Sequence, residues 1–203
     1  MKRFITFLFV IFMFNFSFAI EKTNAQEYVF NPAESSIEWF GKKVTGEHTG
    51  TINLKQGRLN LVKGKISGGE FEIDMASIVN LDLQDPEYKN KLMNHLKSDD
   101  FFSVASFPVS RFVITDVKEA ANKENSQYNY NIKGNLTIKG ITHPIEFPAV
   151  INVKNGKLNA NAQITVNRAK FNVRYGSGSF FQGLGDKLIY DDFILKLNLV
   201  AAK

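Results

Sequence analysis

The feature that most constrains this chain is a strict alternation of apolar and polar residues from 127 to 168. The alternation changes phase twice, after Lys139-Gly140 and after Asn155-Gly156. Because successive side chains of a strand point to opposite faces, each segment has one apolar and one polar face. Asn-Gly is the strongest short hairpin signal, since both residues tolerate positive φ. The sequence therefore predicts three antiparallel strands joined by two-residue turns.

Two-residue turns also fix which residues lie opposite each other. The predicted pairs are Val153 with Leu158, Ile151 with Ala160, Phe147 with Ile164, Ile145 with Val166, Ile138 with Ile141, Ile132 with Phe147, and Tyr128 with Ile151. All of them fall on one face, so the three strands share a continuous apolar wall. Strands this long exceed the usual length of about five or six residues and need a large opposing surface, which a closed barrel supplies.

The remaining segments predict an all-β fold with one helix. Alternation predicts further strands at 28–30, 35–44, 46–54, 57–61, 64–75, 107–117 and 189–200, and it extends the strand before Arg168 through Phe171, Val173 and Tyr175. Asp85-Pro86 is typical of a helix start, and the spacing predicts a helix over 86–97 that lies over or beside the sheet. This is the pattern of an antiparallel barrel or sandwich of eight or more strands.

The first 25 residues are predicted to be a signal peptide, which leaves 26–203 as one domain. A basic start at Lys2-Arg3 precedes a Phe-rich apolar segment, and small residues follow at Ala19 and Ala25. The apolar segment is short for a membrane span, although an uncleaved anchor is the alternative. We therefore expect a periplasmic or secreted protein.

Composition excludes several classes of function. The chain has 203 residues, no Cys and a net charge of +5. Loss of three basic and one acidic residue with the signal peptide leaves +3, and the sequence has no Arg-rich segment, so we expect no nucleic-acid partner. Without Cys, the chain has no lipidated Cys, disulfide or thiolate metal site.

The face opposite the apolar wall carries Asn, Lys and Thr, which suits water, so the apolar side is predicted to point inward. A barrel of about eight strands either fills its interior or holds one ligand. Small inward residues at Gly134, Ala149, Ala160 and Ala162 favour a cavity, although they would also accommodate bulky neighbours. A solid-cored interaction module therefore stays open as an alternative.

No pattern of catalytic or metal-binding residues stands out. The three His, at 48, 95 and 143, lack the spacing of a metal site. The Gly- and Ser-rich segment 176–185 lacks the strand-turn-helix setting of a nucleophile elbow. We predict no metal, no cofactor and no catalytic residue.

Ionisable residues in phase with the apolar wall predict a polar collar at one end of the barrel. In the predicted register His143 lies across from Arg168, and His48 shares the phase of its own strand. A charge that points into an apolar interior is costly unless it is paired. Arg168, His143 and His48 are therefore the predicted head-group residues of an amphiphile binding site.

Several motifs together resemble the YceI-like family. They are Phe30-Asn-Pro-Ala33 with Ser35-Ser36-Ile37-x-Trp39; Gly69-x-Phe71-x-Ile73-Asp74-Met75; Leu92-x-x-His95-Leu96-Lys97-Ser98-x-Asp100-Phe101-Phe102 with Phe107-Pro108; Gly134-Asn135-Leu136-Thr137-Ile138-Lys139-Gly140; and Arg168-x-x-Phe171. The resemblance implies an eight-stranded lipocalin-like barrel that holds a long isoprenoid or other amphipathic lipid, in an exported protein without established catalysis. His143 departs from the family pattern, in which that position is often Lys.

We therefore expect an exported carrier or scavenger of a long-chain isoprenoid, quinone or fatty lipid. The residues predicted to contact the tail are Trp39, Phe71, Met75, Phe101, Phe102, Phe107, Phe147 and Phe171. An enzyme acting on a lumen-bound lipid or quinone precursor is the alternative, with His95 or Asp100 as acid or base. Transient membrane contact and a homodimer are both compatible with this interpretation.

Overall fold

A computed structural model describes residues 25–121 and 127–203. The predicted signal peptide lies outside these residues, except for Ala25, which begins the first strand. The strands are β1 (Ala25–Phe30), β2 (Ser36–Lys43), β3 (Gly46–Val62), β4 (Lys65–Asn80), β5 (Val109–Glu119), β6 (Tyr130–Ile138), β7 (Ile141–Lys154), β8 (Lys157–Asn167) and β9 (Asp192–Ala202). The helix α1 spans Pro86–Lys97, and two short 3-10 helices span Arg168–Phe171 and Gly185–Lys187.

The strands form a closed antiparallel barrel in which β2 to β9 each pair with their sequence neighbours, and β9 pairs back with β2. β1 pairs with the second half of β3 and the end of β9, where β2 no longer reaches. A turn at Asn31 separates β1 from β2, so the two strands share one position in the ring. The predicted eight-stranded barrel with one helix is thus confirmed.

The two predicted hairpin turns have the backbone conformation that their sequences favour. Lys139 and Gly140 have φ of 50° and 72°, and Asn155 and Gly156 have φ of 52° and 76°. Positive φ at both central residues matches the right-handed twist of the paired strands. The predicted register is therefore confirmed close to each turn: Ile138 lies opposite Ile141, Ile132 opposite Phe147, Val153 opposite Leu158 and Ile151 opposite Ala160.

The predicted register fails further from the Asn155-Gly156 turn. The ladder between β7 and β8 ends at Ala149 opposite Ala162, so the predicted pairs of Phe147 with Ile164 and Ile145 with Val166 are absent from it. Hydrogen-bonded pairs alternate along a hairpin, and the next one would need the N–H of residue 148. Pro148 has no N–H, and Pro144 falls in the same phase. The seam between β7 and β8 is therefore unpaired along one half of β7.

The pair predicted between Tyr128 and Ile151 is replaced by a side-chain contact. The Asn129 side chain both donates to the Ile151 carbonyl and accepts from its N–H, at 2.8 Å each. An amide side chain thus takes the place of a backbone partner beyond the start of β6.

Bulges explain why the sequence pattern divided β3 and shortened β4. In β3 the buried positions change from Ile52 and Leu54 to Leu59 and Leu61, with a register shift between Leu54 and Gln56. In β4 they change after Met75 to Ile78. One extra residue reverses which side chains face inward. Strict alternation therefore predicts two strands where β3 is one, and it ends β4 at Met75.

The strand predicted to continue past Arg168 is wrong. Residues Arg168–Phe171 form a 3-10 helix, capped by the Asn167 side chain, which accepts from the Ala169 N–H at 3.1 Å. Asn172 ends this turn in the left-handed conformation, with φ of 57°. The chain therefore leaves the barrel wall at Arg168.

Helix α1 has the predicted boundaries and begins at the predicted cap. The Asp85 carboxylate accepts from the N–H groups of Glu87 and Tyr88, at 2.8 and 3.3 Å, and Pro86 occupies the first turn. Leu96 is its buried residue. No helix in the two described segments is long and apolar enough to cross a membrane.

One end of the barrel is closed by its own side chains. The closed end, beside the Asn155-Gly156 turn, contains four buried residues that do not line the internal cavity: Tyr28, Leu61, Leu158 and Ala201. Leu158 and Ala201 lie opposite each other on β8 and β9. This layer separates the interior from water at that end.

We expect Leu158→Ala to lower the free energy of unfolding by about 2–5 kcal/mol, because Leu158 is fully buried and its loss leaves a cavity. Urea denaturation measures this change. Leu81→Ala is the matched control: Leu81 is 55% exposed, and we expect a change within about 0.5 kcal/mol. Equal effects of the two substitutions would contradict the closed-end packing.

Candidate functional site

The barrel encloses an apolar cavity of about 530 Å³. Its wall consists mainly of the inward-facing residues of the strands, and helix α1 contributes Leu92, His95 and Leu96. Along β8 the lining extends from Ala160 to Val166, which at about 3.3 Å per residue is about 20 Å. A cavity this long and apolar suits an extended hydrocarbon chain.

Four phenylalanines form a continuous aromatic arc in one side of the cavity wall. Ring centroids of Phe30 and Phe71 are 5.1 Å apart, those of Phe71 and Phe112 are 6.4 Å apart, and those of Phe112 and Phe147 are 5.5 Å apart. All four rings are tilted towards their neighbours within the usual range for aromatic pairs. The arc is a stiff surface against which an apolar chain can lie.

Alanines line the cavity on β7 and β8. Ala149 lies opposite Ala162, and Ala160 lies opposite Ile151. The short side chains leave volume there, as the sequence predicted. Gly134 has a different role, since a Cβ there would lie 2.4 Å from the Phe112 ring. Phe112 thus fills the space at Gly134, which is absent from the lining.

The cavity opens at the end of the barrel opposite the closed end. This mouth is surrounded by Lys42 and Lys43 of β2, His48 of β3, and Lys187 and Tyr190 of the segment before β9. The segment is tied to β2 by hydrogen bonds from the Val44 N–H to the Leu188 carbonyl and from the Tyr190 N–H to the Lys42 carbonyl. Three lysines stand at the opening of an apolar cavity, and Asp186 beside Lys187 and the ion pair of Lys42 with Glu47 offset part of their positive charge.

His48 makes a hydrogen bond with Asp82 at the mouth. The His48 ring and the Asp82 carboxylate are 2.8 Å apart, and the same carboxylate accepts from the Thr49 N–H at 2.8 Å. Asn80 also donates to it. Burial opposes the charged form of Asp82, but hydrogen bonds from His48, Thr49 and Asn80 outweigh it and lower the pKa of this carboxyl. The pair fixes the loop that precedes α1.

Arg168 is buried in the wall beside the mouth, and most of its N–H groups donate to protein atoms. Its guanidinium donates to the carbonyls of Tyr190, Val173 and Ile189, at 3.2, 2.9 and 2.9 Å. It lies 3.4 Å from a carboxylate oxygen of Asp191 that has no hydrogen-bond partner among the described residues. Burial lowers the pKa of Arg168, and Asp191 opposes that shift. Arg168 therefore joins the segments on either side of the loop 174–188.

The structure brings most of the predicted tail residues together. The six that line the cavity are Trp39, Phe71, Met75, Phe101, Phe102 and Phe147. Phe107 and Phe171 lie outside the lining. Phe107 is 36% exposed and packs against Gly140, whereas Phe171 is buried beside the His143 ring, with centroids 5.4 Å apart.

Of the predicted head-group residues, Arg168 and His48 line the cavity and His143 does not. His143 lies opposite Leu136, as predicted, but its predicted partner across β8 is absent because the β7–β8 ladder ends before that position. The side chain instead makes an edge contact with Phe171. The predicted collar therefore has two of its three members at the cavity.

Sequence reasoning missed several lining residues. Phe30 ends the first predicted strand in phase with Tyr28, so alternation was sufficient to find it. Phe112 lies five residues after Phe107 and is therefore out of phase with it, so a strand that begins with Phe107 inward places Phe112 outward. In the structure β5 begins at Val109, and Phe112 faces inward while Phe107 does not. Lys42, Lys43 and Lys187 gave no signal, because lysines at the ends of strands are common on any surface. Their position around the mouth depends on the long-range pairing of β2 with β9.

The two residues named for a catalytic alternative lie at the mouth without activating partners. The His95 ring makes edge contacts with Tyr175 and Phe101, at 4.3 and 5.8 Å, and within the described residues it has no hydrogen bond. Asp100 is exposed and borders a groove on the outside of the mouth, which is also lined by Tyr88, Lys91 and Tyr175. Residues 25–121 and 127–203 contain no cluster of His, Asp or Glu that could hold a metal ion.

Fold and cavity together define the class of protein, an antiparallel barrel with an apolar lumen of the size and shape that a lipid tail needs. The chain belongs to the YceI-like domain family, whose sequence model matches residues 28–201. The family predicted from the motifs is thereby confirmed.

Relatives named only as UPF0312 proteins match parts of the chain. One from Shewanella denitrificans is 29% identical over 129 residues, which are 62% of this chain and 62% of that protein. One from Pseudomonas putida is 31% identical over 96 residues, 44% of this chain and 47% of that protein. The matches thus span about half to two thirds of these relatives.

Solved structures share the fold at low sequence identity. BcnA of Burkholderia cenocepacia has a TM-score of 0.66 and 22% identity, over 85% of this chain and 99% of that one. A polyisoprenoid binding domain from Saccharophagus degradans has a TM-score of 0.59 and 11% identity, over 86% and 97% of the two chains. The YCEI protein of Campylobacter jejuni has a TM-score of 0.52 and 17% identity, over 100% and 99%.

We expect Arg168→Met to lower the free energy of unfolding by about 3–5 kcal/mol, because it leaves one buried carboxylate oxygen of Asp191 without its cation, beside carbonyls that have lost their donor. Combining it with Asp191→Asn should recover part of the loss. Thermal or urea denaturation measures both. An Arg168→Met protein of unchanged stability would contradict the structural role of this side chain.

Proposed function

We propose that the protein is an exported carrier or scavenger that holds one long-chain isoprenoid or other amphipathic lipid in its barrel. The observation that carries this proposal is the apolar cavity of about 530 Å³, open at one end and closed at the other. Transfer of a lipid tail from water into such a cavity gains roughly 25 cal/mol per Å² of apolar surface buried. The tail would supply most of the affinity.

The tail would lie between the aromatic arc and the alanines of β7 and β8. Trp39, Met75, Phe101 and Phe102 complete the apolar lining towards the mouth. A polyisoprenoid fits this lining in chemistry, and the name of the Saccharophagus domain, which shares the fold, assigns that ligand class to that protein. Quinones and fatty lipids have tails that the same surface would bury.

The head group would remain at the mouth, where water reaches it. Lys42, Lys43 and Lys187 would attract a phosphate or carboxylate, and His48 lies beside them. Lys42 already pairs with Glu47 at 3.3 Å on the surface, an exposed contact that a ligand can replace at little cost. Arg168 contributes less to head-group binding in this proposal than the sequence predicted, since its guanidinium already donates to three backbone carbonyls.

Binding without catalysis is the function that the residues support. A general acid or base needs a partner that sets its pKa and orientation, and in the described residues the contacts of the His95 ring are edge contacts with Phe101 and Tyr175 rather than a hydrogen bond. Asp100 is exposed. The proposal therefore includes no cofactor and no chemical step.

Export to the periplasm or the medium is part of the proposal, and it rests on the sequence pattern of residues 1–25. Purification from the envelope or secreted fraction of the native host tests location and ligand together. Native mass spectrometry and solvent extraction should recover a bound lipid. Protein that is found only in the cytoplasm contradicts export, and protein that stays empty when offered polyprenols contradicts the carrier function.

Ala162→Phe should fill the cavity and reduce binding of a long-chain polyprenol by about tenfold or more, because ring and tail would occupy the same space. The matched control is Gln163→Phe on the outer face of the same strand, where residue 163 is exposed. Equilibrium binding to the three proteins is the measurement. Loss of binding by both variants, or by neither, would count against a tail site in the lumen.

The mouth also carries the features of a surface that contacts membranes transiently. Exposed apolar and aromatic residues surround it: Val44, Tyr88, Tyr175, Phe180, Phe181 and Tyr190. Arg174 lies over the Phe180 ring, 5.0 Å from its centroid. Aromatic rings with nearby cations suit the interface between lipid head groups and water. A tail could then pass between bilayer and cavity with little exposure to water.

Replacing Phe180 and Phe181 together by Ser should weaken binding to vesicles of phosphatidylcholine and phosphatidylglycerol by about tenfold or more, because a buried ring contributes about 1.5–3 kcal/mol. Vesicle sedimentation measures this. Val153→Ser, at the closed end, is the control and should bind as the unaltered protein does. Equal binding by all three would exclude the mouth as the membrane contact.

A homodimer stays a prediction that analytical ultracentrifugation tests.

A further inference from the structure

Ser110 places a hydroxyl group inside the apolar cavity. It is 5% exposed, and it lines the cavity on β5 beside Phe112. Its side chain faces inward because Ser110 and Phe112 are two residues apart on one strand, and Phe112 belongs to the aromatic arc. The hydroxyl is thus part of the wall that a ligand would touch.

The surroundings of Ser110 in the wall are apolar. Its partner on the neighbouring strand β4 is Ile73, and the partner of Ile73 on β3 is Leu54. Among the described residues that line the cavity, the other polar side chains belong to the mouth and its wall, except for Asn161, which is exposed. The Trp39 indole N–H, also in the lining, already donates to the Val79 carbonyl at 3.1 Å, so Ser110 is a donor without a strong acceptor in an apolar part of the wall.

The hydroxyl of Ser110 has a poor partner in the described parts of the chain. It donates to the Met75 sulfur at 3.0 Å. A thioether is a weak acceptor, and within residues 25–121 and 127–203 no group donates a hydrogen bond to the hydroxyl oxygen. A buried hydroxyl without a good partner destabilises a protein, and Ala or Val would fill the position without that cost. An oxygen atom supplied by a ligand would be a better acceptor than Met75.

We propose that Ser110 is a specificity residue that hydrogen-bonds an oxygen atom in the buried part of the ligand. The inference rests on the proposed lipid-binding function and adds to it. The preferred ligand carries a carbonyl, ether or hydroxyl oxygen at the depth of Ser110, in addition to any polar group at the mouth. A pure hydrocarbon tail binds the same cavity without using this donor.

The test is a positional scan with fatty acids of one chain length, each with a single keto group at a successive carbon. A buried carbonyl without a donor is costly, so most keto positions should weaken binding by about tenfold relative to the parent fatty acid. At the carbon nearest Ser110 the hydrogen bond should abolish that loss. Displacement of a fluorescent fatty acid gives the affinity at each position.

Ser110→Ala should lose the favoured keto position: relative to the parent fatty acid bound by the same variant, affinity there should fall about tenfold, equivalent to about 1.4 kcal/mol. Thr115→Ala removes a hydroxyl from the exposed face of the same strand, where it donates to the Lys133 carbonyl, and should keep the favoured position. Thermal melts check that both variants fold.

Three outcomes separate the hypotheses. A favoured keto position that disappears in Ser110→Ala alone supports the inference. Uniform affinity across the series, or a favoured position that survives in Ser110→Ala, overturns it, while binding of the parent fatty acid still supports the carrier function. Failure of the unaltered protein to bind any member of the series overturns the inference, and binding of polyprenols then decides the carrier function separately.

Discussion

The whole structure depends on burying one face of every strand inside a ring that closes on itself. Pairing of β9 with β2 completes that ring, and the apolar face of each strand then meets the others across the interior. Apolar side chains stabilise the folded state only where water is excluded from them. The closed-end layer around Leu158 is therefore as necessary as the ring. The remaining interior stays open, and its lining combines the aromatic arc with short side chains at Ala160 and Ala162.

The distribution of charge follows from the same constraint. Inside the barrel wall, Arg168 is acceptable only because three backbone carbonyls and Asp191 surround its guanidinium. Its chief effect is to hold the loop beside the mouth, so that Lys187 and Tyr190 stand at the opening. The lysines themselves remain in water, where a charge costs little. Thus the cavity is apolar within, and its polar functions are concentrated at one end.

Much of this fold could be predicted from alternation, because the inward and outward sets are distinct between turns. The helix could be predicted from Asp85-Pro86, and six of the eight proposed tail residues do line the cavity. What failed has physical causes. Bulges in β3 and β4 reverse the phase, and Pro148 stops a ladder that strict alternation would continue. Three of the four groups around the Arg168 guanidinium, those of Ile189, Tyr190 and Asp191, come from a segment distant in sequence, so no local pattern predicts that its donors are occupied.

The unpaired seam between β7 and β8 has a consequence for how the molecule behaves in a crowded compartment. Seams of this kind leave backbone groups available to a strand from another molecule, which is a usual beginning of aggregation. Here Pro144 and Pro148 lie along that stretch of β7, with the charged Glu146 between them. A strand from another molecule could not form regular backbone hydrogen bonds there, because the two prolines have no N–H. The barrel can therefore keep a gap in its wall without recruiting a neighbour to seal it.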